Sequence, residues 1–119
     1  MFTTRRVAVV EGDRRAAEML HTFFRLMELD CSLIPPDFLA VPTVRRLSPD
    51  VVILDLDLPD LRALDIAHEL RTTRPNLPLI FLSDASGRAI PFEAPVLPKP
   101  QDRFEELLRL LEIVLAFER

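Results

Sequence analysis

The chain has 119 residues, 49% of them hydrophobic and 29% charged, with a formal net charge of −4. That length supports one ordinary core but not two, so a single domain spanning 1–119 is expected. An acidic balance with a pI near 5.1 argues against a general nucleic-acid or anionic-lipid surface, both of which need a concentrated positive field. The arginine pairs at 5–6, 14–15 and 45–46 are interleaved with acids and read as solvated faces.

A lone cysteine, Cys31, cannot close an internal disulfide, and no charged-then-apolar leader opens the sequence, so a reducing cytoplasm is the expected setting. No apolar run approaches the roughly 20 residues of a membrane span. Eleven prolines against two glycines punctuate the chain, clustering at 35–42, 75–78 and 91–100.

Between these marks the elements alternate. Arg6 to Val10 reads as a strand. From Asp13 to about Leu29, Ala16, Leu20, Phe23 and Met27 recur at helical spacing. Cys31 to Ile34 is a short second strand, and 37–47 has helical composition with Pro42 either starting or breaking the helix, so a short or distorted helix is expected. Residues 51–55 read as a strand, its Val51 to Leu54 a continuous apolar run of the kind buried on both faces of a parallel sheet. Leu61, Leu64, Ala67 and Leu70 then mark a helix ending before Pro75. Leu77 to Leu82 and Ala94 to Leu97 are the last two strands, and 101–118 is a closing helix. Such alternation predicts an α/β fold, a doubly wound five-stranded parallel sheet with right-handed crossovers. The segment 83–95 holds Gly87 and Pro91 and leaves little room for a crossover helix of ten residues or more. The fourth helix of the series is expected to be shortened or replaced by a loop.

In VVILDLDLPD, residues 51–60, two acids end a buried strand. In open parallel sheets ligands bind at the carboxyl ends of strands, so Asp55 is the first candidate site residue. Together with VAVVEGD at 7–13, LIFLSD at 79–84 and LPKP at 97–100, this stretch makes the whole chain resemble the receiver domain of two-component response regulators, a flavodoxin-like fold acting in phosphorelay signalling. The resemblance implies that Asp55 is the aspartate that accepts a phosphoryl group. It also implies that Lys99 pairs with that aspartate and that Ser83 is the hydroxyl that bonds the phosphoryl oxygens.

The resemblance further implies a Mg²⁺ ion held by two acids after the first strand. Here Glu11 is followed by Gly12, so one carboxylate is missing. Glu11, Asp55 and Asp57 are the remaining candidate ligands, and binding is expected to be weak, because Mg²⁺ demands near-octahedral oxygen ligation. Asp13 reads as a helix cap rather than a ligand. Val96 stands where active receivers often carry an aromatic, Asp84 where a small residue is usual, and Ala63 where a glycine is customary.

These departures favour a pseudo-receiver, a protein-interaction module with a degenerate phosphorylation site, and not an enzyme. The alternative is a working switch that takes phosphate on Asp55 from a histidine kinase or phosphotransfer protein. A remote alternative treats Asp55 and Asp57 as the DxD of a haloacid-dehalogenase-like phosphatase, but that family needs a further acid pair, and Glu105 and Glu106 lie in an amphipathic helix. The closing helix is apolar beyond one stripe: Phe104, Leu108, Leu111 and Leu115 suit the sheet, while Leu110, Ile113 and Phe117 project elsewhere, which predicts a homodimer. His21 and His68 read as helix-surface residues, and Cys31 as a buried small hydrophobe.

Overall fold

The computed structural model describes residues 5–85, 89–100 and 104–116. Five strands, β1 (Arg6–Val10), β2 (Asp30–Ile34), β3 (Val51–Asp55), β4 (Leu79–Ser83) and β5 (Val96–Pro98), form one sheet in the order β2-β1-β3-β4-β5. All four pairings are parallel. The helices are α1 (Arg14–Leu26), α2 (Ala40–Leu47), α3 (Arg62–Thr73) and α4 (Glu105–Ala116), with a 3₁₀ turn at Pro59–Leu61. The expected doubly wound α/β fold is therefore present.

Strand pleating sorts the apolar runs onto two faces. Ala8, Val10, Val52, Leu54, Leu79 and Phe81 pack with Val41 and Val44 of α2 and Leu64, Ile66 and Leu70 of α3. Val7, Val9, Val51, Ile53, Ile80 and Leu82 pack with Leu20 and Phe24 of α1 and Leu107 and Leu111 of α4. Both faces of β3 and β4 are covered, which is why these strands read as unbroken apolar runs. At the edge, β2 is only partly buried.

Local chemistry sets the element ends. Asp13 caps α1, its carboxylate accepting from the Arg15 amide at 3.0 Å, and α1 stops where Glu28 takes a φ of 62°. The expected extension of this helix to residue 29 is thus too long. Its inward stripe is also displaced: Ala17, Leu20 and Phe24 are buried, while Met27 is exposed. Phe23 is partly buried against the core and stacks on Phe104 with ring centroids 4.2 Å apart. Pro42 lies in the first turn of α2, where its missing N–H costs no intrahelical bond. Ala63 falls within the first turn of α3 and is fully buried. The side chain of Leu61 lies outside the described ones.

Two strands are offset from expectation, β4 to 79–83 and β5 to 96–98. Between them, the described residues 84–85 and 89–95 form bends and no helix. Gly87 lies outside the described residues. Phe92 pins this connection to the sheet, meeting Phe81 edge-on at 5.6 Å and the His68 ring at 5.0 Å, with the Arg71 guanidinium 5.1 Å from its ring centre. One aromatic thus covers a sheet face that a crossover helix would otherwise cover.

The closing helix also differs from expectation. Leu107 and Leu111 face the sheet, with Phe104, Leu110, Val114 and Leu115 packed partly against the same core. Leu110 therefore belongs to the inward stripe, Leu108 is only half-buried and outside that core, and Ile113 remains exposed. Phe117 and residues 101–103 lie outside the described residues. Truncating Phe81, which is fully buried, should cost about 3–5 kcal/mol. Urea unfolding of Phe81→Ala measures this, and a loss under about 1 kcal/mol would contradict the packing described.

Candidate functional site

The strand order reverses at β1, whose neighbours are β2 and β3, and the site lies at the carboxyl ends of the strands beside this switch point. Pleating and strand length bring Glu11, just past β1, Asp55 at the end of β3, and Ser83 at the end of β4 to the same rim. All three side chains are buried. Lys99 follows β5, and its amide donates to the Ser83 carbonyl at 3.1 Å, continuing the ladder. Its ammonium reaches back across the rim to Asp55 Oδ1 at 3.0 Å and Glu11 Oε1 at 3.0 Å. The three residues expected to meet, Asp55, Ser83 and Lys99, are therefore neighbours.

Backbone donors complete the setting of Asp55. The Gly12 amide donates to Asp55 Oδ2 at 3.2 Å and the Asp57 amide to Asp55 Oδ1 at 2.9 Å. Asp57 is itself held: the Ser83 hydroxyl donates to its Oδ1 at 2.8 Å, the Asp84 amide donates to its Oδ2 at 2.8 Å, and Lys99 Nζ stands 3.8 Å from Oδ2. Asp84 meets this network through its backbone. Beside the rim, a cleft of about 330 Å³ is lined by Asp13, Arg15, Met19, Asp84, Lys99 and Pro100.

The sequence did not reveal the roles of the Gly12 and Asp84 amides, nor that Arg15, read as a solvated residue, lines the cleft. Backbone donors leave no residue-type signature. The only signal was the glycine itself, which lets the chain approach closely: a Cβ at residue 12 would lie 2.8 Å from Leu58 Cδ2.

Burial and charge act together on the ionisable groups. Burial pushes the Glu11 carboxyl up to about 7; the bond from Lys99 opposes this, and the charge of Asp55 reinforces it. Burial alone would lower the Lys99 pKa, but its bonds to Glu11 and Asp55 outweigh that cost and hold it above the ordinary lysine range. The net direction is a charged Lys99 beside a Glu11 that loses its proton late. Cys31, half-buried in β2, has its thiol pushed up to about 12, chiefly by burial.

The trio Glu11, Asp55 and Asp57, expected to hold Mg²⁺, instead surrounds an ammonium. Lys99 takes an oxygen of Glu11 and one of Asp55, while Asp57 accepts from Ser83 and the Asp84 amide. Among the described residues no group of three or more His, Cys, Asp or Glu is placed to hold a metal ion. This donor set does not fit the ion as arranged. Nor, among them, is any helix long and apolar enough to cross a membrane.

A doubly wound five-stranded parallel sheet with an acid, a hydroxyl and an ammonium converging beside its switch point defines a flavodoxin-like α/β domain. The model of the response regulator receiver domain matches residues 7–95, and the chain belongs to that family, the receivers of two-component phosphorelay signalling. It is similar to the probable transcriptional regulatory protein TcrX of Mycobacterium tuberculosis, with 36% identity over 77 residues, 65% of this chain and 33% of that protein. The match thus spans about a third of this curated relative. Among solved structures, one chain from the crystal structure of the complex between histidine kinase ThkA and response regulator protein TrrA is similar at a TM-score of 0.82 and 21% identity, covering 94% of this chain and 99% of that one. TrrA from Thermotoga maritima in complex with Mg(2+)-BeF follows at 0.77 and 20%, covering 93% and 99%.

The proton on Glu11 predicts a pH dependence. The folded chain binds it more tightly than the unfolded chain, so this contribution to stability is fully present below about 4.5 and is lost as pH rises through about 7. Urea midpoints between about pH 4 and about pH 8 should fall for the unsubstituted chain relative to Glu11→Gln across that window. A constant difference would contradict the burial of an ionisable Glu11.

Proposed function

We propose that this receiver, as one unit over 1–119, acts mainly through protein contacts and that its phosphorylation site is degenerate. The supporting observation is at Gly12. There the second acid is replaced by a residue without a side chain, and the space that side chain would enter is held by buried Leu58, 2.8 Å from where a Cβ would stand. Restoring a carboxylate would require Leu58 to turn away. With Lys99 lying between Glu11 and Asp55, its ammonium already takes oxygens that an added cation would use.

A second reading has its own observation. Asp55 is held at 3.0 Å from Lys99 with Ser83 on the same rim, the groups a carboxylate nucleophile and its phosphoryl product would need. In that reading Asp55 takes a phosphoryl group from a phosphohistidine of a kinase or phosphotransfer protein, the P–N bond breaking as the P–O bond forms. In both readings the protein works in the cytoplasm, is a switch or adaptor rather than an enzyme, and has a kinase, phosphotransfer protein or output protein as partner, with neither nucleic acid nor membrane as target.

The deciding measurement is an NMR titration with Mg²⁺ followed by beryllofluoride or acetyl phosphate. The proposed reading expects no saturable shifts at Asp55, Ser83 and Lys99. Saturable shifts abolished by Asp55→Asn would establish the switch instead. Pairing of two copies through α4 is the finer part of the proposal; with Leu110 turned inward, it rests on Leu108 and exposed Ile113. Sedimentation should show a dimer that Ile113→Glu weakens, and a monomer at high micromolar concentration would remove this part.

A further inference from the structure

The geometry points to Asp57 as a built-in competitor of the phosphoryl group, its carboxylate occupying the donors that an anion on Asp55 would use. The inference rests on the receiver reading above and deepens it by naming what closes the site. Among the described residues, the rim around Asp55 offers a short set of anion donors outside its own backbone ties: the Ser83 hydroxyl, the Asp84 amide and the Lys99 ammonium. Asp57 takes the first two at 2.8 Å each, one on each carboxylate oxygen, and its Oδ2 lies 3.8 Å from the third. The Ser83 hydroxyl is further committed, because its oxygen accepts from the Ala85 amide at 3.0 Å.

A phosphoryl group bonded to Asp55 would place its oxygens among these same donors, since they lie at the mouth of a carboxylate that is itself only 5% exposed. One methylene links the Asp57 backbone to its carboxylate, so the competing anion is tethered two residues from the nucleophile and never diffuses away. Its hydrogen bonds join a charged acceptor to a hydroxyl and an amide, roughly twice as strong as neutral ones. An incoming phosphate must break both and meet a like charge as well. The Asp57 side chain keeps 27% of its surface in solvent, so it has a route outward by rotation of its own side chain. The arrangement therefore behaves as a latch: closed, it satisfies Ser83 and the Asp84 amide without phosphate; open, it frees both.

Beryllofluoride titrations at a fixed excess of Mg²⁺, read on the Ser83, Asp84 and Lys99 signals, test this in four chains: unsubstituted, Asp57→Ala, Asp60→Asn and Asp57→Ala combined with Asp55→Asn. Asp57→Ala should bind at least about tenfold more tightly than the unsubstituted chain, the scale of losing two charge-assisted bonds from the competing state. Asp60→Asn removes the same charge from an exposed position in the neighbouring turn and should change affinity less than about twofold. The double variant should not respond. In the absence of any anion, the Asp84 amide proton should move upfield in Asp57→Ala as its carboxylate acceptor is lost.

Equal or weaker binding by Asp57→Ala overturns the latch, as does an unmoved Asp84 amide. Loss of a metal-ligating Asp57 would weaken binding, so the expected gain has the opposite sign from that role. If neither chain responds, the latch is overturned while the degenerate-site reading stands. If the unsubstituted chain already saturates in an Asp55-dependent way, that reading fails, and the latch survives only if Asp57→Ala is still tighter by the expected factor.

Discussion

One ammonium group ties the site together. Lys99, arriving from β5, holds Glu11 from β1 and Asp55 from β3 at 3.0 Å each, with side chains 12%, 2% and 5% exposed. Two carboxylates that close would repel one another if left alone, and burial would make that repulsion hard to screen. The shared cation makes their proximity tolerable. Removing one member of such a buried group leaves uncompensated charge and costs about 3–5 kcal/mol, whereas the intact group contributes little net stability against an apolar replacement. The group is better understood as a fastener of geometry than as a source of stability.

That fastener depends on the sheet behind it. Parallel pairing puts the carboxyl ends of β1, β3, β4 and β5 on one side, and the continuous apolar runs of β3 and β4 lock their register by packing on both faces. Asp55 can be buried because every polar atom around it is matched. Gly12 and Asp57 donate backbone amides, Lys99 donates its ammonium, and no buried side-chain polar atom among the described residues lacks a partner. The same satisfaction occupies the rim: oxygens of Glu11 and Asp55 face Lys99, and the Ser83 hydroxyl and Asp84 amide face Asp57.

Much of the fold was legible because it is written in periodicity. Val51 to Leu54 had to be a strand covered on both faces, and the short proline-bearing segment after Ser83 had no room for a full crossover helix. The helix faces were less legible. In α1 and α4 nearly every turn offers apolar residues on adjacent sides, so a stripe beginning at Ala16 and one beginning at Ala17 score alike until a sheet is present to choose. Leu110 turned inward for the same reason, with Leu107 and Leu111 setting the axis.

The sequence alone determined that an acid, a hydroxyl and a lysine end three successive strands, because residue type and strand position are both local properties. It also showed that one acid was missing at Gly12. Only the tertiary structure decided what those groups do to one another. Whether Lys99 neutralises Glu11 as well as Asp55, and whether Asp57 faces solvent or takes the Ser83 and Asp84 donors, depends on angles and distances between segments far apart in the chain. Those are fixed by sheet twist, strand stagger and the packing of helices on both faces, quantities that no single stretch of sequence contains.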